Sequence, residues 1–215
     1  MSETKTIKIL LVDDHPLFIR GLASLLESKH EYKIIGEASS PDDALTIAKK
    51  EKPDLVIMEI NLGNESGMDI IPKMKSQNPE TAILVLSMYD ERIYSGRVLN
   101  LGARGYIMKT EPANKVLDAV RIILSGEQVI KTINWENQQD EKDWTALIRK
   151  LSDRELQVFS CIGKGMGTIE MAGKFNISAK TIDTHKEHIK LKLRCKSSQE
   201  LRHLAIEWAS HPGVL

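Results

Sequence analysis

Leu55–Gly67 reads LVIMEINLGNESG, and the rest of the chain is arranged around it. Four apolar residues, Leu55 to Met58, run straight into a carboxylate, Glu59, and then into a loop carrying Gly63 and Gly67. A short apolar run bounded by turn residues is the pattern of a strand buried on both faces. In a parallel α/β sheet, ligands sit outside the carboxyl ends of the strands. A carboxylate at such an end gains meaning when other polar groups converge on it. Three further segments have the same form: Val12-Asp13-Asp14, Leu86-Ser87 and Met108-Lys109.

Outward from that stretch the chain alternates between strand and helix patterns. Ile7 to Val12 predicts a buried strand, and Pro16 opens a helix through Leu17, Phe18, Leu22, Leu25 and Leu26. Proline is favoured at that position because its missing N–H is not needed in the first turn. Lys33 to Ala38, Thr81 to Leu86 and Gly105 to Met108 predict the other strands. Helices follow Ser40-Pro41, Gly67 and Ser87, and a last one runs from Pro112 to Leu124; Gly102 and Gly126 close the last two. The fold class is therefore α/β, with a five-stranded parallel sheet wound on both faces. It occupies residues 1–126. Glu136 to Asp143 (ENQQDEKD) has no apolar period, so residues 127–147 read as a linker, with Trp135 and Trp144 flanking its polar centre.

Residues 148–215 read as a small all-α domain. Leu151-Ser152-Asp153-Arg154-Glu155-Leu156 has the form of a capping box with a hydrophobic staple. A helix to Gly163 follows, then a short one from Thr168 to Phe175, a turn at Asn176-Ile177, and a longer one from Ala179 to Leu193 capped by Ser178. Ser197-Ser198-Gln199-Glu200 reads as another capping box opening a final helix to Trp208. Short helices with a tight turn before the third make a helix-turn-helix layout.

Of the 215 residues, 41% are hydrophobic and 28% charged, a globular composition. There is no apolar run long enough for a membrane span. The opening MSETKTIK lacks an apolar core, so a cytoplasmic chain is expected. Cys161 and Cys195 fit no metal spacing and read as reduced thiols. The net charge of zero conceals an asymmetry. Arg149 to Leu215 holds 12 Lys+Arg against 7 Asp+Glu, about +5, and residues 1–148 hold 18 against 23, about −5. A basic tail behind an acidic front suggests a nucleic-acid partner.

Carboxylates gathered at one sheet edge cannot all stay ionised without a counter-charge. Mg²⁺ is the usual answer, since it takes few carboxylates and keeps its waters. Asp13, Asp14 and Glu59 can supply them, while Lys109 and Ser87 have the chemistry to stabilise the oxygens of a transferring phosphoryl group. These motifs, VDDH (Val12 to His15), the strand ending at position 59, Ser87 and Lys109, resemble the receiver domain of two-component response regulators in order and spacing. That resemblance implies a flavodoxin-like fold with a Mg²⁺ site in which Asp14 binds directly, Asp13 acts through water, and the carbonyl of Asn61 completes the ligands. It makes residue 59 phosphoacceptor and ligand, Ser87 the switch hydroxyl, Tyr106 the switch aromatic, and Lys109 the partner of the phosphoryl group. The chain departs from the pattern at Thr110, where many receivers have proline, and at Glu59, where the family has aspartate. The extra methylene moves the carboxylate outward by roughly 1–1.5 Å. A misplacement of that size costs on the order of 100-fold in catalytic geometry. Glu59 therefore predicts very poor phosphorylation and a charge placed where phosphoryl oxygens would lie.

Projected at 100° per residue, the helix after Ser178 buries Ile182, Ile189 and Leu193 and turns Lys180, Asp183, Thr184, Glu187 and Leu191 outward. Such a face suits a major groove. Thr184 and Glu187 have the chemistry to read base edges, and Lys180, Thr181, Lys190 and Lys192 to touch phosphates. Leu151 to Trp208 resembles a LuxR-type helix-turn-helix, and with the receiver nearly the whole chain resembles the NarL/FixJ class. The resemblance maps base contacts onto Asp183, Thr184 and Glu187. It implies a non-enzymatic DNA-binding transcription regulator, a homodimer on promoter double-stranded DNA. A sensor histidine kinase would be the partner of a form with aspartate at position 59. A Mg²⁺-dependent phosphohydrolase would also use an acidic sheet edge, but leaves the basic tail unexplained. A protein-interaction adaptor would show no salt-dependent DNA affinity.

Overall fold

The computed structural model describes residues 6–63, 65–89, 91–129 and 147–210. The chain divides into two compact units, Met1–Thr132 and Ile133–Leu215.

In the first unit the strands β1 (Ile7–Val12), β2 (Tyr32–Ala38), β3 (Leu55–Met58), β6 (Ala82–Ser87) and β7 (Gly105–Met108) form one sheet in the order β2-β1-β3-β6-β7. All neighbours are parallel. The helices are α1 (Pro16–Glu27), α2 (Pro41–Glu51), α3 (Ile71–Gln77), α4 (Glu91–Asn100) and α5 (Ala113–Leu124). The near-continuous apolar strands are explained by burial on both faces: every residue of β3 and β6 is buried. Ile9, Leu11, Ile57, Leu84 and Leu86 pack with Ile19, Leu22 and Leu26 of α1 and Val116, Val120 and Ile123 of α5.

Strand register decides what meets at the carboxyl edge. Val12 lies opposite Met58, and Met58 opposite Val85. The residues that follow, Asp13 and Glu59, are thereby neighbours, and the Glu59 N–H donates to the Val12 carbonyl at 2.9 Å. Ser87 lies opposite Met108, and the Lys109 N–H donates to the Ser87 carbonyl at 2.7 Å.

Several local details differ from the sequence expectation. Ser87 is the last residue of β6 rather than the one after it, and Pro112 caps α5 from outside. The loop after Glu59 folds into a small antiparallel hairpin, β4 (Asn61–Leu62) with β5 (Glu65–Ser66). Its Gly63 has φ +60°, which the turn requires. A 3₁₀ turn, Gly67–Ile70, follows. Gly67 is demanded by space, since a Cβ there would stand 2.4 Å from the Glu59 carbonyl oxygen. The connector does not begin cleanly at Glu127. Val129 bridges to Gly105 in parallel and its N–H donates to the Arg104 carbonyl at 2.8 Å, because its apolar side chain packs on the core. Trp135 and Trp144, and most of the expected linker, lie outside the described residues. The Lys109–Thr110 peptide is trans.

The second unit contains α6 (Asp153–Gly163), α7 (Thr168–Phe175), α8 (Ala179–Leu193) and α9 (Ser198–Ala209). The Ser152 box is complete: the Glu155 N–H donates to Ser152 Oγ, and the Ser152 N–H to Glu155 Oε2 at 2.7 Å. The box at Ser197 is only half of one. Ser197 Oγ accepts from the Glu200 N–H, but the Glu200 carboxylate reaches past it to the Lys196 N–H at 2.7 Å. Asn176 turns the chain between α7 and α8 with φ +52°, a conformation asparagine tolerates better than most residues. Phe159 and Trp208 stack at 5.1 Å in the core.

Helices α6 and α9 approach closely at Gly163. A Cβ at that position would meet the Ala205 carbonyl oxygen at 2.6 Å and the Ala209 Cβ at 2.9 Å. Gly163→Ala is expected to destabilise the second unit by about 1–3 kcal/mol through overpacking. Urea unfolding of the full chain checks this, and an unchanged midpoint would contradict the packing.

Candidate functional site

The carboxyl edge of the sheet closes over Glu59, which is 4% exposed. Its Oε1 accepts from Ser87 Oγ at 2.5 Å, from the Ile60 N–H at 2.7 Å and from the Asn61 N–H at 3.3 Å. Its Oε2 accepts from Lys109 Nζ at 3.0 Å. The same ammonium lies 2.6 Å from Asp13 Oδ2 and 4.5 Å from the centre of the Phe18 ring. Lys109 is thus a buried cation between two buried carboxylates. Removing one member of such a group costs about 3–5 kcal/mol, because a charge is left without its partner.

Asp13 and Asp14 do not cap α1. The N-cap residue is His15, which makes no side-chain cap hydrogen bond. Asp13 Oδ1 takes the His15 N–H at 3.0 Å, and Asp14 Oδ2 takes the Gly63 N–H at 2.8 Å, which ties the β4–β5 hairpin to the pocket. Asp14 Oδ1 is enclosed and has no hydrogen-bond partner. A buried carboxylate oxygen left this way fits a cation. Glu59 fits one less well, since protein donors engage both its oxygens.

A chain of hydrogen bonds leaves the pocket through Tyr89, a residue the sequence reading did not single out. The Tyr89 N–H donates to Ser87 Oγ at 3.3 Å, and its carbonyl accepts from the buried Tyr106 hydroxyl at 2.7 Å. Its own hydroxyl accepts from Asn61 Nδ2 at 2.8 Å, and its ring packs on Tyr94 at 5.3 Å. Its only mark in the sequence is an aromatic two positions after Ser87. So the structure gathers Asp13, Asp14, Glu59, Asn61, Ser87 and Lys109, and joins Tyr106 to them through Tyr89.

The second candidate surface is α8. Ile182, Ile189 and Leu193 are buried, and Lys180, Thr181, Asp183, Thr184, Glu187, Leu191 and Lys192 are exposed. The lysines are less available than their spacing implies. Lys190 folds back onto Glu187 at 2.8 Å and is largely covered. Lys192 donates to Glu155 Oε2 at 2.6 Å, so it serves the capping box of α6. Lys186, not picked from the sequence, bonds to Thr168 Oγ1 of α7 and lies 3.7 Å from Asp183. Thr184 Oγ1 donates back to the Lys180 carbonyl at 3.0 Å. His185 is half-buried, and burial lowers its pKa.

Comparison with known proteins covers both units. A model of the response regulator receiver domain matches residues 9–121, and one of the luxR family of bacterial regulatory proteins matches 149–205. The oxygen regulatory protein NreC of Staphylococcus aureus is 34% identical over 211 residues, which is 94% of this chain and 97% of that protein. Among solved structures, a LuxR-family two-component response regulator from Aurantimonas is 26% identical with a TM-score of 0.57, over 60% of this chain and 91% of that one. RcsB of Salmonella enterica, solved on promoter P1flhDC with the phosphomimetic BeF3-, shares the fold at 22% identity. Its TM-score is 0.71, over 94% of this chain and 100% of that one. Among the described residues no helix is long and apolar enough to cross a membrane.

Glu155 yields a prediction. Burial pushes its pKa up, but hydrogen bonds from Lys192 and from Ser152 outweigh that and hold it below the ordinary value. A carboxylate depressed in the folded state stabilises fully above its unfolded pKa, about 4.3, and loses that contribution as pH falls through the folded value. The second unit should lose stability on acidification below about pH 4.3, and Lys192→Met should make that loss shallower. Denaturant titrations at pH 7 and at pH 3 check both, and equal acid sensitivity in the variant would contradict the assignment.

Proposed function

This chain belongs to the response regulators that join a receiver domain to a LuxR-type helix-turn-helix domain, and from that premise we propose that it is a transcription regulator whose receiver is held in its signalling arrangement by Glu59. The carrying observation is that one Glu59 carboxylate engages Ser87 Oγ and Lys109 Nζ together. A phosphoryl group on an aspartate at this position would extend its oxygens toward the same two donors. Glutamate reaches them with one extra methylene and no phosphate. The hydrogen-bond chain from Ser87 through Tyr89 keeps the Tyr106 ring inside. The surface around Tyr106 is then set without a phosphodonor.

In a form with aspartate at position 59, Asp13, Asp14 and the Asn61 carbonyl would hold Mg²⁺. The ion would supply charge neutralisation for the incoming phosphoryl group, and a sensor histidine kinase would be the donor. The output is binding of promoter double-stranded DNA by a homodimer, with α8 in the major groove. Lys180 and Thr181 at the start of α8 position it on phosphates, with Lys190 and Lys192 joining where they release their carboxylate partners. Asp183, Thr184 and Glu187 face the bases. Glu187 accepts from a cytosine amino group, the readout a carboxylate can make. Glu187→Gln should shift preference at that base pair from cytosine toward adenine, by about 1–3 kcal/mol. Selection of bound sequences from a random pool checks this, and an unaltered consensus would remove Glu187 from the readout.

The principal test compares the chain with Glu59→Asp for dimerisation and promoter binding, with and without acetyl phosphate and Mg²⁺. The expected result is phosphodonor-independent binding by the glutamate form and dependence in the aspartate form. If the glutamate form stays weak while the aspartate form responds, Glu59 disables the switch instead of setting it.

A further inference from the structure

The start of α7 and the middle of α8 meet in a polar contact among three side chains. Thr168, the first residue of α7, accepts a hydrogen bond from Lys186 Nζ through Oγ1, and the same hydroxyl donates to Asp183 Oδ1 at 3.5 Å. Lys186 Nζ stands 3.7 Å from that carboxylate oxygen, which closes a triangle. A hydroxyl serves both partners at once, since it carries a donor and acceptor lone pairs. The two charges are unequally placed. The Asp183 side chain is 63% exposed and that of Lys186 only 25%. What this part of α8 offers a groove is therefore the carboxylate, with the ammonium drawn back against α7. An exposed ion pair on a helix surface holds weakly by itself. Here the lysine has a second partner from another helix and little solvent around it.

We infer that Asp183 is a specificity-determining residue that acts by restraint instead of readout: with Thr168 it keeps the Lys186 ammonium off DNA phosphates, and so lowers affinity for duplex DNA of any sequence. This rests on the reading that places α8 in the major groove. Lysine contacts to phosphates supply the part of DNA affinity that is blind to sequence. A lysine released at position 186 would add such a contact on every duplex, matched or not, and an exposed carboxylate beside it repels the same phosphates. A regulator finds its site among a large excess of other DNA, so the ratio of specific to non-specific binding decides its output. Holding Lys186 back raises that ratio without a base contact. Asp183 Oδ1 is engaged toward α7, which accounts for an acid on a face turned to a polyanion.

The test measures binding of the full chain to a random-sequence duplex across a salt series. Asp183→Asn should bind about threefold or more tightly at about 50 mM salt, with a slope of log affinity against log salt steeper by about one phosphate contact. The gain should vanish when Lys186→Met is added. Thr168→Val alters no charge and should give a smaller gain in the same direction. The restraint is overturned if Asp183→Asn leaves affinity and slope unchanged, or if it raises affinity equally with Lys186→Met in place, since the gain would then be simple loss of negative charge. It is also overturned if Asp183→Asn selects a different base at one pair, which would make Asp183 a reader. A second measurement needs no DNA. The ¹⁵N-coupled NMR signal of the Lys186 ammonium should be seen in the unaltered chain and lost in Asp183→Asn, and its absence from the unaltered chain would remove the contact itself. If that signal behaves as expected while no form binds any duplex, it is the DNA-binding reading of α8 that fails, and the role of the contact with it.

Discussion

The Lys109 ammonium, held between the carboxylates of Asp13 and Glu59, is the contact on which the receiver edge depends. It joins three strand ends that are not consecutive in sequence. It also makes tolerable the burial of two negative charges in a sheet otherwise lined with aliphatic side chains. The register of β1 against β3 and of β6 against β7 brings those ends level, and the Phe18 ring closes over the ammonium. Glutamate is compatible with this arrangement because each of its oxygens finds a donor, Oε1 the Ser87 hydroxyl and Oε2 the Lys109 ammonium. Its longer arm meets Ser87 and Lys109 instead of crowding the two aspartates.

Much of this was legible in the chain. Continuous apolar runs ending in Asp13, Glu59, Ser87 and Lys109 announce a parallel sheet with a polar mouth, and the helix-turn-helix boundaries follow from Ser152, Asn176 and Ser178. The same period could not reveal Tyr89. Its role rests on main-chain atoms, a carbonyl and an N–H, whose direction is set by the turn after β6. Nor could it show which way Glu59 turns, since an extra methylene adds a torsion that only the surrounding donors decide. The hairpin β4–β5 was hidden because its strands are two residues each.

On α8 the sequence overstated the free positive charge. Spacing puts Lys186 and Lys190 three residues after Asp183 and Glu187, and such pairs are neighbours on a helix surface. Each lysine turns back onto the acid before it. Lys192 is drawn away by Glu155, which a helix projection cannot anticipate because the partner lies 37 residues earlier. The outward face carries carboxylates, a threonine, an exposed Leu191 and, near its start, Lys180.

Strand β7 is the outer strand on its side of the sheet, and its free edge is partly taken up by the bridge from Gly105 to Val129. Open strand edges are templates on which other chains add strands of their own. The chain leaving α5 thus acts as a cover against aggregation, and a Cβ at Gly105 would stand 3.0 Å from the Val129 Cβ and lift that cover. Protection of this sheet edge and the course of the backbone from α5 to Val129 therefore rest on the same pair of residues.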